Sequence, residues 1–330
     1  MKDLYKTFKE KRVLITGGLG FIGSNLARAL IARGARVTII DALIPEYGGN
    51  LFNVAGIEGK VKVHIADVRD TRSVSPLIKK QDYLFNLAGQ TSHLDSMEDP
   101  YADLEINCKA QLTILEACRK YNPGITVVFA STRQVYGKPS YLPVDENHLL
   151  RPVDVNGINK MAGEWYHIVY NNVYGIKTSV LRLTNTYGPR MRVKDARQTF
   201  IGVWIRSLLE GKKFPVWGGR QLRDFNYVED VVDALLAAAV NKNAYGRIFN
   251  LGSPEFISLK DLAKMLVVLN GSGAYQVCAF PARRKKIDIG DYYSDFRYIK
   301  RSLGWQPRVA LRAGLKATLE FYGEHLSKYI

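Results

Sequence analysis

The chain has 330 residues, 47% of them apolar and 24% charged, with a formal net charge of +16. This is the length and composition of a globular protein with one large α/β domain, or a domain plus a smaller lobe, and with core enough to fold unaided. No run of about 18 apolar residues occurs, and the opening MKDLYKTFKEKR lacks the apolar centre of a signal peptide, so a membrane span and secretion are both disfavoured and a cytoplasmic protein is expected.

The first element is KRVLITGGLGFIGSNLARAL, residues 11 to 30. Val13 to Ile15 suit a buried strand, and a helical pattern begins near Phe21. Between them Gly17 permits a tight turn and Gly20 lets a pyrophosphate approach the backbone. Gly23 lets the helix lie close to the strand, and the helix N-terminus, Phe21 and Ile22 included, faces the phosphates. A second strand, Val37 to Ile40, ends in Asp41, about 20 residues on, where a carboxylate binds both ribose hydroxyls of a dinucleotide and repels a 2′-phosphate. The expected cofactor is therefore NAD rather than NADP.

Residues 42 to 59 read as a loop over the adenosine end of the cofactor. Val61 to Ala66 is a third strand leading into Asp67-Val68, which suit an adenine contact, and Asp82 to Ala88 is a fourth, running into Gly89-Gln90. A helix is expected over Tyr101 to Tyr121, strands over Ile125 to Ala130 and Thr178 to Thr184, and a helix near Gly157 to Tyr170. This alternation implies α/β architecture, a doubly wound parallel sheet of Rossmann type, with ligands bound beyond the carboxyl ends of the strands. The rule singles out Ala88-Gly89-Gln90, Ser131-Thr132 and the segment after Thr184.

Beyond Asn185 the rhythm becomes irregular. Helices are expected at 199 to 210, 228 to 240, 259 to 269, 295 to 303 and 311 to 325, with strands at 214 to 217, 247 to 251 and 275 to 280. A smaller α/β lobe is the natural reading: a dinucleotide-binding domain over 8–186 plus about 224–252, and a substrate lobe over about 187–223 plus 253–330. Lys and Arg are spread along the chain, clustering only at Lys9 to Arg12 and Arg283 to Lys286, without a zinc finger, arginine-rich arm or aromatic RNA-binding signature. Nucleic acid is therefore not an expected partner, and a basic surface suits steering of a doubly charged nucleotide diphosphate. Cys108, Cys118 and Cys278 lack metal-ligand or CxxC spacing and read as buried thiols, and no metal is expected.

Taken together, TGGLGFIGSNL, IADVRD, NLAGQ, INCKAQLTILEA, FASTRQVYGKP, LRLTNTYGPR, RDFNYVEDVVDAL and RSLGWQP, in this order, resemble the extended short-chain dehydrogenase/reductases that modify nucleotide sugars. The stretch NLAGQTSHLDSMEDPYADLEINCKAQLTILEA is most similar to the CDP-tyvelose 2-epimerases and UDP-glucose 4-epimerases. The resemblance implies bound NAD, a nucleotide-diphosphate sugar as substrate and cofactor contacts that include Asn107 and Lys160. It also implies a homodimer built on the helices of 101–121 and 157–170. Asn185, Arg223 and Arg284 or Lys285 match positions that hold the sugar diphosphate; Trp217 and Phe225 read as core aromatics.

The family's chemistry rests on a Ser/Thr, a Tyr and a Lys four residues after that Tyr. Thr132 and Lys160 match the first and last, but the tyrosine position is Asn156 in VDVNGINK. An amide neither gains nor loses a proton near neutral pH, so Asn156 orients substrate at most. Four groups remain as the base: His93, Lys160, Thr132 through water, and Tyr136, of which an imidazole ordinarily titrates closest to neutrality. The related 4,6-dehydratases carry Asp-Glu after the Ser/Thr; here Arg133-Gln134 stand there and cannot act as that acid and base. An epimerase is the favoured reading. Its rivals are a protein that binds NAD and a nucleotide sugar without catalysis, and a net dehydrogenase that releases NADH.

Overall fold

The computed structural model describes residues 7–330, apart from the side chain of Arg283. Residues 1–6 of the opening segment and the Arg283 member of the basic cluster lie outside the described residues. Six strands come first: β1 (Arg12–Thr16), β2 (Arg36–Asp41), β3 (Val61–Ile65), β4 (Tyr83–Asn86), β5 (Thr126–Thr132) and β6 (Lys177–Leu183). β7 (Asn185–Tyr187), β8 (Phe214–Trp217) and β9 (Leu222–Tyr227) lie elsewhere, and β10 (Arg247–Asn250) returns to the first sheet. That sheet has seven strands in the order β3-β2-β1-β4-β5-β6-β10, all parallel. The chain winds outward through β1, β2 and β3, then restarts at β4 on the other side of β1, so a topological switch point lies between β1 and β4.

Successive side chains of β1 enter opposite cores, Ile15 on one face and Leu14 on the other. On Ile15's face the sheet is covered by α1 (Phe21–Ala32), through Leu26 and Leu30; its other face is covered by α2 (Thr71–Ile78), through Val74 and Ile78. The chain continues through α3 (His93–Glu98), α4 (Pro100–Leu104), α5 (Ala110–Tyr121), α6 (Val155–Tyr174), α7 (Phe200–Leu209) and α8 (Val228–Val240). α8 joins α1 on its face through Val231 and Leu235, and α5 joins α2 through Ile114 and Leu115. A helix layer on each face leaves β1 wholly apolar from Val13 to Ile15.

The remaining elements are β11 (Phe256–Ser258), α9 (Leu259–Asn270), β12 (Tyr275–Cys278), α10 (Ala282–Lys285), α11 (Arg297–Leu303) and α12 (Leu311–His325). α11 packs into the first core through Ile299, whereas α9 and α12 join α7 and β8 in a second core in which Trp204, Phe214, Leu266, Leu315 and Tyr322 pack together with Phe21 of α1. Two small sheets serve it, β11-β9-β7 and β12-β8. The three-residue β7 and β11 are too short for any periodicity to show in sequence, and β9, LRDFNY, carries charge in its interior.

Three expectations need correction. The single helix over 101 to 121 is α4, a π turn at Glu105–Lys109 and α5. One extra residue per turn shifts the face and turns Asn107 inward, where apolar spacing alone gives no sign of it. α2 is not among the expected elements, since Pro76 stands inside it; Asp70 starts it by accepting the Arg72 amide at 3.0 Å. Of the cysteines only Cys118 is buried, while Cys108, in the π turn, and Cys278, on the edge strand β12, are half-buried; all three are free. No helix among the described residues is long and apolar enough to cross a membrane.

Beneath β5 and β6 lies a buried ion pair, Arg182 Nη2 to Glu164 Oε2 at 2.7 Å. Glu164 also accepts the Ser131 hydroxyl, and Arg182 donates to the Tyr136 hydroxyl, which donates in turn to Asn250 Oδ1. Removing one charge leaves the other buried and uncompensated. Glu164→Gln should therefore lower unfolding stability by roughly 3–5 kcal/mol, read as the shift in urea midpoint at constant m-value.

Candidate functional site

The carboxyl ends of the parallel strands open onto one cleft of about 760 Å³, walled on its far side by the second core. Its first half is the turn from β1 into α1. Gly17 has φ +70°, and a Cβ there would stand 2.9 Å from the backbone of Ala88. A Cβ on Gly23 would collide with the Gly17 carbonyl. Gly20 precedes α1 without any side-chain cap, so the first amides of the helix point into the cleft unopposed. Gly17, Gly20, Phe21, Ile22 and Gly23 all line it. Asp41 ends β2 with Oδ2 accepting the Leu19 amide at 2.9 Å and Oδ1 the Leu43 amide at 2.8 Å. Burial pushes its carboxyl above the ordinary value while the two amides oppose this. One acceptor position per oxygen is left for a ligand. Asp67 is clamped by Arg69 at 2.6 Å and, with Val68, forms the outer edge.

The middle of the cleft is formed by Ala88, Gly89 and Gln90 after β4, Thr132 at the end of β5, and the start of α6. Thr132 Oγ1 accepts the Gln134 amide at 3.2 Å, leaving its proton free to donate. Lys160 is buried, with Nζ 3.2 Å from the Ala130 carbonyl and 5.0 Å above the Phe129 ring. Burial lowers its ammonium to about 8 against the pull of Asp103 and Glu164. Asn156 is buried too, its Nδ2 donating to the Gln90 carbonyl at 2.9 Å and to Asp103 Oδ2 at 3.0 Å. Asp103 is fully buried under three amides, since Asn107 and Asn159 also donate to it, at 3.0 and 2.8 Å.

His93 is the first residue of α3 rather than part of a loop, and of the described histidines it alone lines the cleft. Its Nδ1 lies 3.0 Å from Asp154 Oδ2, approaching obliquely to the ring N–H; its side chain is 38% exposed while that of Asp154 is wholly buried. Asp154 caps α6 by accepting the Gly157 amide at 2.7 Å and also accepts Gln134 Nε2 at 2.8 Å. Burial pushes the Asp154 carboxyl up, but the His93 contact and these hydrogen bonds outweigh it and hold it below its usual value. A proton on Nδ1, the nitrogen nearer Asp154, would leave the lone pair on Nε2. Tyr136 does not reach the cleft: its hydroxyl is tied to Arg182 and Asn250, and burial raises its pKa.

The far half carries the cations. Arg223 is buried, paired with Asp288 at 3.3 Å and hydrogen-bonded to the Gly290 carbonyl; burial and the nearby Arg133 bring it down to about 10. Asn185 Nδ2 donates to the Asp224 carbonyl at 2.9 Å and lies on the cleft wall. Arg284 stacks over Trp217, 4.5 Å from the ring centre, and both line the cleft.

Residues 13–252 match the NAD dependent epimerase/dehydratase family. The chain belongs to that family. A putative UDP-glucose 4-epimerase of Methanocaldococcus jannaschii is 35% identical over 94% of this chain and 97% of its own length. UDP-glucuronic acid decarboxylase 1 of Xenopus tropicalis is 32% identical, over 96% of this chain and 73% of its own. The UDP-glucose 4-epimerase of Thermotoga maritima, solved with UDP-glucose, superposes with a TM-score of 0.87 at 29% identity, covering 96% of this chain and 99% of that one.

The cofactor of this epimerase/dehydratase fold is NAD, and the residues fit it: an uncapped helix N-terminus for the pyrophosphate, Asp41 for the ribose and Lys160 facing the strand ends. Among the described residues no group of His, Cys, Asp or Glu is arranged to hold a metal ion. Two expected site residues and one expected core residue lie elsewhere than expected. Asn107 does not line the cleft; it supports the Gln90 carbonyl from below, at 2.9 Å. Lys285 is exposed and off the cleft, because neighbours on the one-turn α10 point about 100° apart, and Arg284 takes the inward direction. Trp217 is a cleft wall rather than a core residue, whereas Phe225 is core. Asp103 and Asp154 were not singled out in sequence. An acidic residue two before Asn156 reads as an ordinary helix cap, and only the fold brings His93 against it.

Asp41→Ala should weaken NAD by about ten- to hundredfold, the worth of charge-assisted hydrogen bonds, and abolish preference over NADP. Titration calorimetry with both dinucleotides checks this.

Proposed function

We propose that this chain epimerises a nucleotide-diphosphate sugar through a transient keto-sugar, with His93 moving the proton that the family's tyrosine would move. The observation that carries the reading is the His93–Asp154 pair: a cleft imidazole backed by a buried carboxylate, in the wall that also holds Thr132 and Lys160. Bound NAD supplies the hydride acceptor and donor. His93 Nε2 takes the hydroxyl proton as the carbonyl forms and returns it once the ketone has presented its other face; Asp154 steadies the imidazolium in between. Contacts of this kind are often poorly aligned before substrate binds, which fits the oblique approach of the two groups. Thr132 donates to the same sugar oxygen. Lys160, largely protonated at neutral pH, holds the nicotinamide ribose and favours negative charge on that oxygen. Asn156 has both amide protons turned to Gln90 and Asp103, so its part is orientation.

Elimination of water is disfavoured, since Gln134 is tied to Asp154 and Arg133 is no acid. The division into a cofactor lobe (8–186, about 224–252) and a sugar lobe (about 187–223, 253–330) belongs to this reading, with Asn185, Arg223 and Arg284 taking the diphosphate. So does a homodimer. α6 presents Ile158, Trp165, Val169 and Val173 at spacings of one helical face, and Tyr101 and Leu104 of α4 are likewise exposed.

Incubation with a panel of UDP-, CDP-, GDP- and dTDP-sugars should give an epimer by NMR, with transient reduction of NAD. Accumulating NADH would mean a net dehydrogenase, and firm binding of both ligands without exchange would mean a binding protein. Asn156→Ala should cost at most roughly tenfold in rate, whereas Lys160→Ala should be far worse. His93→Gln should lose about 10²- to 10⁴-fold with nucleotide-sugar affinity kept and the acid limb of the pH–rate profile gone. Sedimentation should give a dimer at micromolar concentration, and Val169→Glu a monomer.

A further inference from the structure

Resting on the nucleotide-sugar reading above, we infer that the sugar itself is anionic, a uronic-acid type whose carboxylate is taken by Arg133. Arg133 directly follows Thr132 at the carboxyl end of β5 and lines the cleft. Among the described residues it makes no hydrogen bond and no ion pair, and its Nε is buried without a partner. Its guanidinium lies 5.5 Å from the centre of the Tyr292 ring. The two buried arginines of this region are satisfied, Arg182 by Glu164 and Arg223 by Asp288 and the Gly290 carbonyl, whereas Arg133 is half-buried.

The acids near Arg133 are already committed. Asp224 is fully buried and accepts the Thr184 hydroxyl and, at 3.0 Å, the Ser294 amide; Asp288 serves Arg223. Burial lowers the Arg133 pKa, with Asp224 and Tyr292 opposing, and Arg133 in turn disfavours the charge on Arg223. Asp224, Asp288 and Asp291 lie near the two guanidiniums, but none of them forms an ion pair or hydrogen bond with Arg133. A half-buried cation with its Nε shut off from water and unpaired is costly, and a bidentate carboxylate relieves it with the geometry that a guanidinium fork prefers. A neutral hexose offers only hydroxyls there. The diphosphate has Arg223 and Arg284 from the far wall, while Arg133 stands beside Thr132, next to the reacting oxygen.

The test uses the NAD-loaded protein and calorimetry. UDP, CDP, GDP and dTDP are titrated first, and binding of none removes the nucleotide-sugar reading and this inference with it. For the nucleotide that binds, three ligands are compared: the nucleoside diphosphate, its glucose conjugate and its glucuronate conjugate. Wild-type protein should bind the glucuronate about ten- to hundredfold tighter than the glucose conjugate. Arg133→Gln and Arg133→Leu should erase that difference while leaving nucleoside diphosphate and glucose-conjugate affinity within about twofold, which also reports that the variants are folded. Equal weakening of all three ligands would make Arg133 a diphosphate ligand and overturn the inference. So would a wild-type protein that binds the glucose conjugate as tightly as the glucuronate.

Discussion

Parallel pairing is the constraint on which this molecule depends. Because β1 to β6 and β10 all run one way, Thr16, Asp41, Ile65, Asn86, Thr132 and Leu183 end at one edge of the sheet. Whatever follows these strands converges there: the glycine turn, the Asp67 loop, Gly89-Gln90, Arg133 and Thr184. The reversal of winding between β1 and β4 parts the connecting helices and opens the crevice, and the second core, which takes in Phe21 of α1, closes its far side.

Inside this frame the site is an arrangement of buried charge. Lys160 stays cationic near neutrality because Asp103 and Glu164 lie within reach of it, and Glu164 is itself held by Arg182. Asp103 in turn is held by three amides, among them Asn156. Asn156, which by resemblance stands at the family's tyrosine position, thus helps hold a carboxylate in place. Proton transfer then needs another titratable group, and the cleft contains one imidazole with a carboxylate behind it. Among the described residues Arg133 lines the cleft without a hydrogen bond or ion pair, and a charge so placed points to what a ligand brings.

The legible part of this protein was the part written in local pattern. Apolar runs of β-branched residues marked the strands, and glycines at Gly17, Gly20 and Gly23 marked a turn whose close contacts leave no room for a side chain at Gly17 or Gly23. Asp41 at a strand end marked the ribose site. Less legible were elements whose signal is one residue long or less than one turn. The π turn at Glu105–Lys109 is hidden by helical spacing on either side, and β7 and β11 exist only because β9 pairs with both. The choice between Arg284 and Lys285 was open in sequence, since adjacent residues differ by about 100° of helix rotation and nothing local says which one faces inward.

The sequence by itself determined the sheet, the cofactor turn, the acidic ribose ligand and the absence of tyrosine at position 156, because each depends on residue type at fixed local spacing. Only the tertiary structure brings together the pair proposed to stand in for that tyrosine. His93 and Asp154 are 61 positions apart in the chain, on the connections after two different strands. They meet because those strands, β4 and β5, are neighbours and parallel, which carries both connections to the same end of the sheet. The same pairing brings Asp103 under Asn156 and leaves Arg133 without a counterion, and contacts between segments so far apart leave no periodicity in either one.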